Sequence, residues 1–264
     1  MEKPITGTTR LYFIVADPVH HVRTPAAFNA RLAAAEADAV MVATQVAPAG
    51  LADFIAGLRR IKNVGGLIVT VPHKQAMVAL CDELAPAAER AGSLNAVRIE
   101  NNRLIGENFD GIGFVQGLLS AGYDVLGKRA LLLGSGGAAS AIAFALADAG
   151  VADLAIWNRS IDKAEALAER VRTSTGVTSR ADPHRDTSGI DLIVNATSLG
   201  MRAEDELPIP ADAIRSNHMV AEAVMNPPET ELLQIAKSHG ASVHQGYHML
   251  AAQLDAMGRY VGAF

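Results

Sequence analysis

Apolar positions ahead of Asp110 fall into short runs separated by stretches of helical spacing. The runs at 11–15, 39–46, 66–71, 94–99 and 104–106 have the length and composition of strands. Thr24-Pro25 opens a helix with Phe28, Leu32 and Ala35 on one face; Thr24 can cap it and Pro25 suits its first helical position. Leu51, Phe54, Ile55 and Leu58 keep the i, i+3, i+4, i+7 spacing of an amphipathic helix. Further helices are expected from Pro72 to about Leu80 and across 83–91. The Asn101-Asn102 turn joins the runs at 94–99 and 104–106 into a hairpin.

From Asp110 the rhythm tightens. A helix at 111–121 leads to a buried strand at 129–133, the turn Gly134-Ser135-Gly136-Gly137, and an alanine-rich helix at 138–149. Strands at 154–157, 190–195 and 219–224 then alternate with helices at 162–172 and 229–239, and a last helix starts near Tyr247. Strands alternating with helices predict an α/β fold with parallel sheets, and the change of rhythm puts a domain boundary near Asp110.

Composition narrows the class. A length of 264 residues allows one large domain or two modest ones, and 50% hydrophobic against 19% charged residues supplies a real core. The formal net charge of −5 without a basic run argues against nucleic acid as a partner. The single cysteine, Cys81, excludes an internal disulfide and leaves too few thiols for a cysteine-based zinc site. No signal-like apolar segment opens the chain and no apolar run reaches 18 residues, so a soluble cytoplasmic protein without a membrane partner is expected.

The glycine turn is the first candidate site. Gly134 permits a tight turn, Gly136 allows close approach of a pyrophosphate, and Gly137 and Ala138 are small enough for helix and strand to pack. The helix start behind it offers free N–H groups to phosphate. Plain α/β packing would use similar residues. The next strand ends Trp157-Asn158-Arg159-Ser160, with Lys163 one turn on. Two cations and a hydroxyl stand where an NAD site usually has a carboxylate, which favours a 2′-phosphate and hence NADP. The alternative is a helix-capping Ser160 beside a solvated Arg159.

Upstream, Thr70-Val71-Pro72-His73-Lys74 places a lysine in the first turn of an expected helix, where the dipole opposes a cation and favours release of its proton. Asn95 falls within an expected strand, where Asn is depleted, unless it sits at an edge. Asp110 precedes Gly111-Ile112-Gly113 and also fits an ordinary helix cap.

These segments together resemble the shikimate dehydrogenase family over nearly the whole chain. The similarity runs through Val69-Thr70-Val71-Pro72-His73-Lys74, Ser93-Leu94-Asn95-Ala96 and Gly106-Glu107-Asn108-Phe109-Asp110-Gly111. It continues through the glycine turn, Asn158-Arg159-Ser160, Asn195-Ala196-Thr197-Ser198-Leu199-Gly200-Met201, Asn226-Pro227 and Gly246-Tyr247-His248-Met249-Leu250 with Gln253. The resemblance implies a substrate domain at 1–109, onto which the last helix (244–264) folds back. It also implies a Rossmann-like doubly wound NADP-binding domain at 110–243, with a cleft between the two. Lys74 and Asp110 would be the catalytic pair, and Thr24, Thr70, Asn95 and Gln253 would bind substrate. Gly134, Ser135, Gly136, Gly137, Ala138, Asn158, Arg159, Ser160, Lys163, Thr197 and Gly246 would hold NADP, with no metal. The implied reaction interconverts a cyclic, shikimate-like hydroxy acid and its 3-keto form by hydride transfer. The expected assembly is a monomer or homodimer.

Departures gather around the substrate. Val22-Arg23-Thr24-Pro25 lacks the first hydroxyl of the family's carboxylate-binding segment, and Phe109, Ala96 and Met225 replace two threonines and a tyrosine. Glu222 stands where the family commonly has aspartate. A paralogue with altered substrate preference is therefore one expectation, and an NADP-binding sensor with a degraded site is an alternative that Lys74, Asp110 and Asn95 speak against. Adjacent His20 and His21 point to opposite sides of an extended chain and do not suit a joint metal site. His248 can line the pocket or simply pack; Cys81, Met201, Met225 and Met249 read as core residues.

Overall fold

The computed structural model describes residues 4–20 and 22–264. Residues 1–3 and His21, one half of the adjacent histidine pair, lie outside the described residues. The chain divides into two compact units, one of residues 1–109 with 253–264 and one of residues 110–252. Residues 244–252, which the sequence reading groups with the last helix, belong with the second unit.

The first unit contains β1 (Arg10–Ala16), α1 (Thr24–Ala34), β2 (Ala39–Gln45), α2 (Leu51–Leu58), β3 (Val64–Val69), β4 (Glu83–Leu84), α3 (Pro86–Ala91), β5 (Ala96–Glu100) and β6 (Arg103–Glu107). Its sheet has the order β2-β1-β3-β5-β6-β4. β1 runs parallel to β2 and β3, while β5 is antiparallel to both β3 and β6, so the expected hairpin at Asn101-Asn102 is present and makes this sheet mixed. Asn101 and Asn102 both adopt positive φ, at 50° and 63°, and reverse the chain within two residues, leaving no room for the crossover that a parallel pair requires.

Three local expectations give way to tertiary contacts. Residues 72–75 form turns, and only a short 3-10 turn, Ala76–Leu80, follows. The Lys74 carbonyl, which an α-helix would pair with residue 78, accepts instead from Leu94 N–H at 2.9 Å, while Val78 N–H turns back to Gln75 O. The helix expected across 83–91 is shortened: Glu83 and Leu84 pair with Ile105 and Gly106, and Pro86 opens the remainder. Thr24 is the buried first residue of α1 and does not cap it; Arg23 holds the cap position and makes no side-chain capping bond there.

The second unit contains α4 (Asp110–Ser120), β7 (Arg129–Leu133), α5 (Gly137–Asp148), β8 (Asp153–Trp157), α6 (Ile161–Thr175), β9 (Thr178–Ala181), β10 (Leu192–Asn195), β11 (Met219–Glu222), α7 (Glu231–Ser238), β12 (Ser242–His244) and α8 (Tyr247–Tyr260). Its sheet order is β12-β11-β10-β7-β8-β9, and every neighbouring pair is parallel. Numbered within the unit this is 6-5-4-1-2-3, the doubly wound order of dinucleotide-binding sheets. Ala130 and Leu132 of β7 join the core under α5 and α6, while Leu131 and Leu133 join the core under α7, so the strand is covered on both faces. The two strands without an apolar run, β9 and β12, are the sheet's edges.

Helices α4 and α5 touch closely because of one glycine. A Cβ at Gly111 would collide with the Ala141 carbonyl oxygen and stand 2.8 Å from Ala145 Cβ. The fold-side packing is done by Ala139, Ile142 and Ala143, whereas Gly137 and Ala138, expected to fill that role, are only half-buried. Gly111→Ala is expected to cost about 1–3 kcal/mol of stability through overpacking. Gly57→Ala, in a helical position with no neighbouring atom within 4 Å, is expected to add roughly 0.5–1 kcal/mol. Urea denaturation of both variants measures the contrast.

Candidate functional site

In the second unit the expected cofactor residues collect at the carboxyl ends of three adjacent strands. β7 ends in the glycine turn, β8 in Asn158-Arg159-Ser160 and β10 in Asn195-Ala196-Thr197. Gly134 has φ +114°, open to glycine alone at little cost, and its N–H donates to the Trp157 carbonyl at 2.7 Å. A Cβ there would lie 3.0 Å from Ala196 O and 3.3 Å from Thr197 N, so the β10 loop rests against the turn. Ser135 is half-exposed, and a Cβ on Gly136 would meet nothing within 4 Å. The turn thus has a bare backbone facing open space ahead of the α5 N-terminus, the surroundings a pyrophosphate needs.

At the end of β8, Arg159, Ser160 and Lys163 are exposed. Ser160 takes the cap position of α6 with no side-chain capping bond, and Asn158 Nδ2 donates to the Ser160 carbonyl at 3.0 Å. The Asn158 bond shapes the turn, and both cations beside it are exposed. Gly246 passes tightly against the backbone of Ala223 and Val224, where any Cβ would collide with the Val224 carbonyl.

A polar network that sequence reasoning did not find organises the β10 loop. Asn195 Oδ1 accepts from Thr197 N–H at 3.1 Å and from Thr197 Oγ1 at 2.7 Å; its Nδ2 donates to Leu199 O at 3.0 Å and to Glu222 Oε1 at 2.9 Å. Thr230 Oγ1 donates to Glu222 Oε2 at 2.7 Å and caps α7 by accepting from Leu233 N–H. Burial pushes the Glu222 carboxyl above its ordinary pKa, and the Asn195 and Thr230 hydrogen bonds oppose that shift.

In the first unit, loops at the carboxyl end of β3 carry Thr70 and Asn95 of the expected substrate residues, with Lys74 of the expected catalytic pair. Val69 N–H donates to the Asn95 carbonyl at 2.8 Å, Thr70 N–H to Val15 O, and Leu94 N–H to the Lys74 carbonyl. Asn95 lies one residue before β5, not inside it, and is 3% exposed. Its Oδ1 accepts the Phe109 N–H at 2.9 Å and its Nδ2 donates to Gln253 Oε1 at 2.8 Å. Phe109 N–H can only donate, so the orientation of both carboxamides follows from it. The Phe109 ring packs edge-on against Tyr260 at 5.4 Å, and Ala96 is fully buried between Ile68 and Glu107 in the sheet. His73, buried beside Lys74, is anchored through Nε2 to Val46 O at 2.8 Å. With no α-helix starting at Lys74, the dipole argument for that residue has no basis. Thr24 is buried at the start of α1. Asp110, 1% exposed, is the first residue of α4 and belongs to the second unit.

Among the described residues no group of three or more His, Cys, Asp or Glu is arranged to hold a metal ion, and no helix is long and apolar enough to cross a membrane. Met249 is a core residue, and Cys81 is half-buried against the first unit's core. Burial lifts the Cys81 thiol to about 11.

Comparison with known proteins fits this geometry. Residues 14–97 match the family model described as shikimate dehydrogenase substrate binding domain, and residues 119–202 match that of shikimate / quinate 5-dehydrogenase. The shikimate dehydrogenase (NADP(+)) of Methanopyrus kandleri is 37% identical over 258 residues, covering 94% of this chain and 89% of that protein. A crystal structure of shikimate dehydrogenase in complex with NADP+ superposes with a TM-score of 0.91 at 32% identity, covering 98% of this chain and 92% of the other. The Thermus thermophilus shikimate 5-dehydrogenase in complex with NADP(H) and shikimate gives 0.88 at 32% identity, with 97% and 94% covered. This two-unit α/β protein is thus built on the plan of a nicotinamide-dependent oxidoreductase. The chain belongs to the shikimate dehydrogenase family.

One titration accompanies the site. His244 ends β12 two residues before Gly246, stacks on His248 at 4.6 Å and meets the edge of Phe114. Burial, and secondarily the neighbouring His248, lower its pKa to about 4. The unfolded chain, with a histidine near 6.5, therefore binds the extra proton first, and stability falls as pH drops from 6.5 towards 4. The expected loss at pH 5 is roughly 2 kcal/mol from this residue. Urea denaturation at pH 7.5 and 5 should show a smaller difference for His244→Phe than for the parent.

Proposed function

We propose that this protein is an NADP-dependent dehydrogenase that interconverts a shikimate-like cyclic hydroxy acid and its 3-keto form. The observation that carries the reading is the end of β8, where exposed Arg159, Ser160 and Lys163 follow a strand of doubly wound order. Cations there suit the 2′-phosphate of NADP, as a carboxylate would suit the 2′-hydroxyl of NAD. Gly134, Ser135, Gly136, Gly137 and Ala138 would hold the pyrophosphate, Asn158 would shape the 2′-phosphate end, and Thr197 and Gly246 would complete the cofactor contacts. Bound NADPH supplies the hydride. Lys74 gives the proton to the carbonyl oxygen during reduction and takes it from the hydroxyl in reverse, and Asp110 hydrogen-bonds both substrate and lysine. Thr70 and Asn95 hold ring hydroxyls, with Asn95 kept in orientation by Phe109 N–H and Gln253. Thr24 contributes its hydroxyl to the substrate's carboxylate. The reading carries with it a cytoplasmic enzyme acting as a monomer or homodimer.

A second reading concerns the acid itself. Val22 stands two residues before Thr24 where the family's carboxylate-binding segment has a hydroxyl, and one missing hydrogen bond to a charged group is worth about 1.5–3 kcal/mol. That loss weakens the grip on the acid, so the preferred substrate differs from shikimate or shikimate is turned over with a raised KM. Steady-state kinetics with shikimate, quinate and an aminated analogue decides; a low-micromolar KM for shikimate with ordinary kcat sinks the altered-substrate reading.

Two substitutions test the assignment of roles. Lys74→Ala is expected to lower kcat at least about a hundredfold while NADPH binding, followed by its fluorescence, stays within about twofold. Arg159→Ala is expected to weaken NADP roughly ten- to a hundredfold and to leave NAD nearly unchanged. Equal losses for the two cofactors would remove the 2′-phosphate assignment.

A further inference from the structure

We propose that Glu222 is a positioning residue for cofactor binding: through Asn195 it fixes the 195–199 loop that walls the crevice above β7 and β10. The proposal rests on the NADP reading above. Glu222 is 0% exposed at the carboxyl end of β11, and both of its hydrogen-bond donors are neutral. Burying a carboxyl group against two neutral donors is costly, and an apolar side chain would fill the same space at lower cost. What the carboxyl group supplies is direction.

Both Glu222 oxygens serve as acceptors, Oε1 for Asn195 Nδ2 and Oε2 for the Thr230 hydroxyl. Facing Glu222 Oε1, Asn195 must therefore present its Nδ2, which turns its Oδ1 toward the loop. That oxygen gathers both the N–H and the hydroxyl of Thr197, and Thr197 Oγ1 in turn accepts the Leu199 N–H at 3.0 Å. The remaining Nδ2 hydrogen closes the loop on the Leu199 carbonyl. Reversing this amide would set its oxygen against a carboxylate oxygen and its NH2 against the Thr197 N–H, so Glu222 selects one loop conformation. The second carboxylate oxygen holds Thr230, whose methyl side lies against Gly200, at 3.2 Å from where a Cβ would stand. Both ends of the loop are thereby tied to one side chain. The loop's middle, Ala196 and Thr197, is in turn the surface against which Gly134 rests. A loop free to turn would alter the wall beside the glycine turn while leaving the end of β8 untouched.

The test measures NADPH affinity by fluorescence in the full chain, at a temperature where circular dichroism shows each variant folded. Glu222→Ala is expected to raise the NADPH dissociation constant at least about tenfold, and to weaken NADP+ and NAD+ by the same factor. That common factor separates it from Arg159→Ala, whose effect should fall on NADP alone. Glu222→Gln can offer its carbonyl to Asn195 and its NH2 to Thr230 Oγ1, so it should stay within about threefold of the parent. Glu222→Asp keeps the charge but is one methylene too short to span both partners. It carries the test where Glu222→Ala does not fold, with at least about a threefold loss expected. NADPH affinity unchanged in the alanine or aspartate variant overturns the proposal, as does a glutamine variant no better than alanine. A parent protein that binds no NADPH would instead overturn the cofactor reading.

Discussion

Two parallel neighbours that send their chains to opposite sides of a sheet cannot close the space above their carboxyl ends. β7 and β10 are such a pair: α5, which follows β7, packs on one face, and Ile209 and Ile214, which follow β10, pack on the other. The glycine turn and the Asn195 loop border the resulting crevice, and each depends on the other. Gly134 can lie against Ala196 only because it lacks a Cβ. The loop can hold that contact because its backbone polar groups are satisfied by Asn195 and Thr197. Dinucleotide sites arise at this point of open sheets for a topological reason, before any particular side chain is chosen.

The first unit uses a different device. Its sheet is mixed, so loop placement depends less on topology and more on hydrogen bonds between distant segments. Leu94 N–H to Lys74 O, Val69 N–H to Asn95 O and Asn95 Nδ2 to Gln253 Oε1 form a chain of such bonds at one end of β3. The residues that set a lysine and two carboxamides in place are thus largely backbone groups. Replacement of Phe109 or Ala96 relative to the family pattern leaves this frame standing, because Phe109 contributes its N–H and packs its ring on Tyr260, while Ala96 lies inside the sheet.

How much of this could be read from sequence followed the physics of burial. β7 was legible to the residue, since its stretch 130–133, covered on both faces, is wholly apolar. β9 and β12 were not, because edge strands are only half-covered and Thr-Ser-Arg-Ala or Ser-Val-His carries no apolar run. A helix is expected from Pro72 to about Leu80, yet Leu94 captures the Lys74 carbonyl from 20 positions away and prevents it. The glycine turn and the cations after β8 were legible because local chemistry dictates them. The Glu222–Asn195–Thr230 network was visible only as an unusual glutamate; its partners are separated by 27 and 8 residues and no local pattern links them.

The membership of residues 253–264 in the first unit bears on how the protein is made. Tyr12 Oη donates to the Gly262 carbonyl, Phe28 packs on Phe264 at 5.2 Å, and Asn95 bonds Gln253. None of these contacts exists while the chain is still being elongated through residues 110–252. During synthesis, the second unit has all of its own residues before the first has received its last. Residues 10–109 therefore precede the second unit in synthesis, yet Tyr12 and Phe28 receive Gly262 and Phe264 only after that unit's residues have been made.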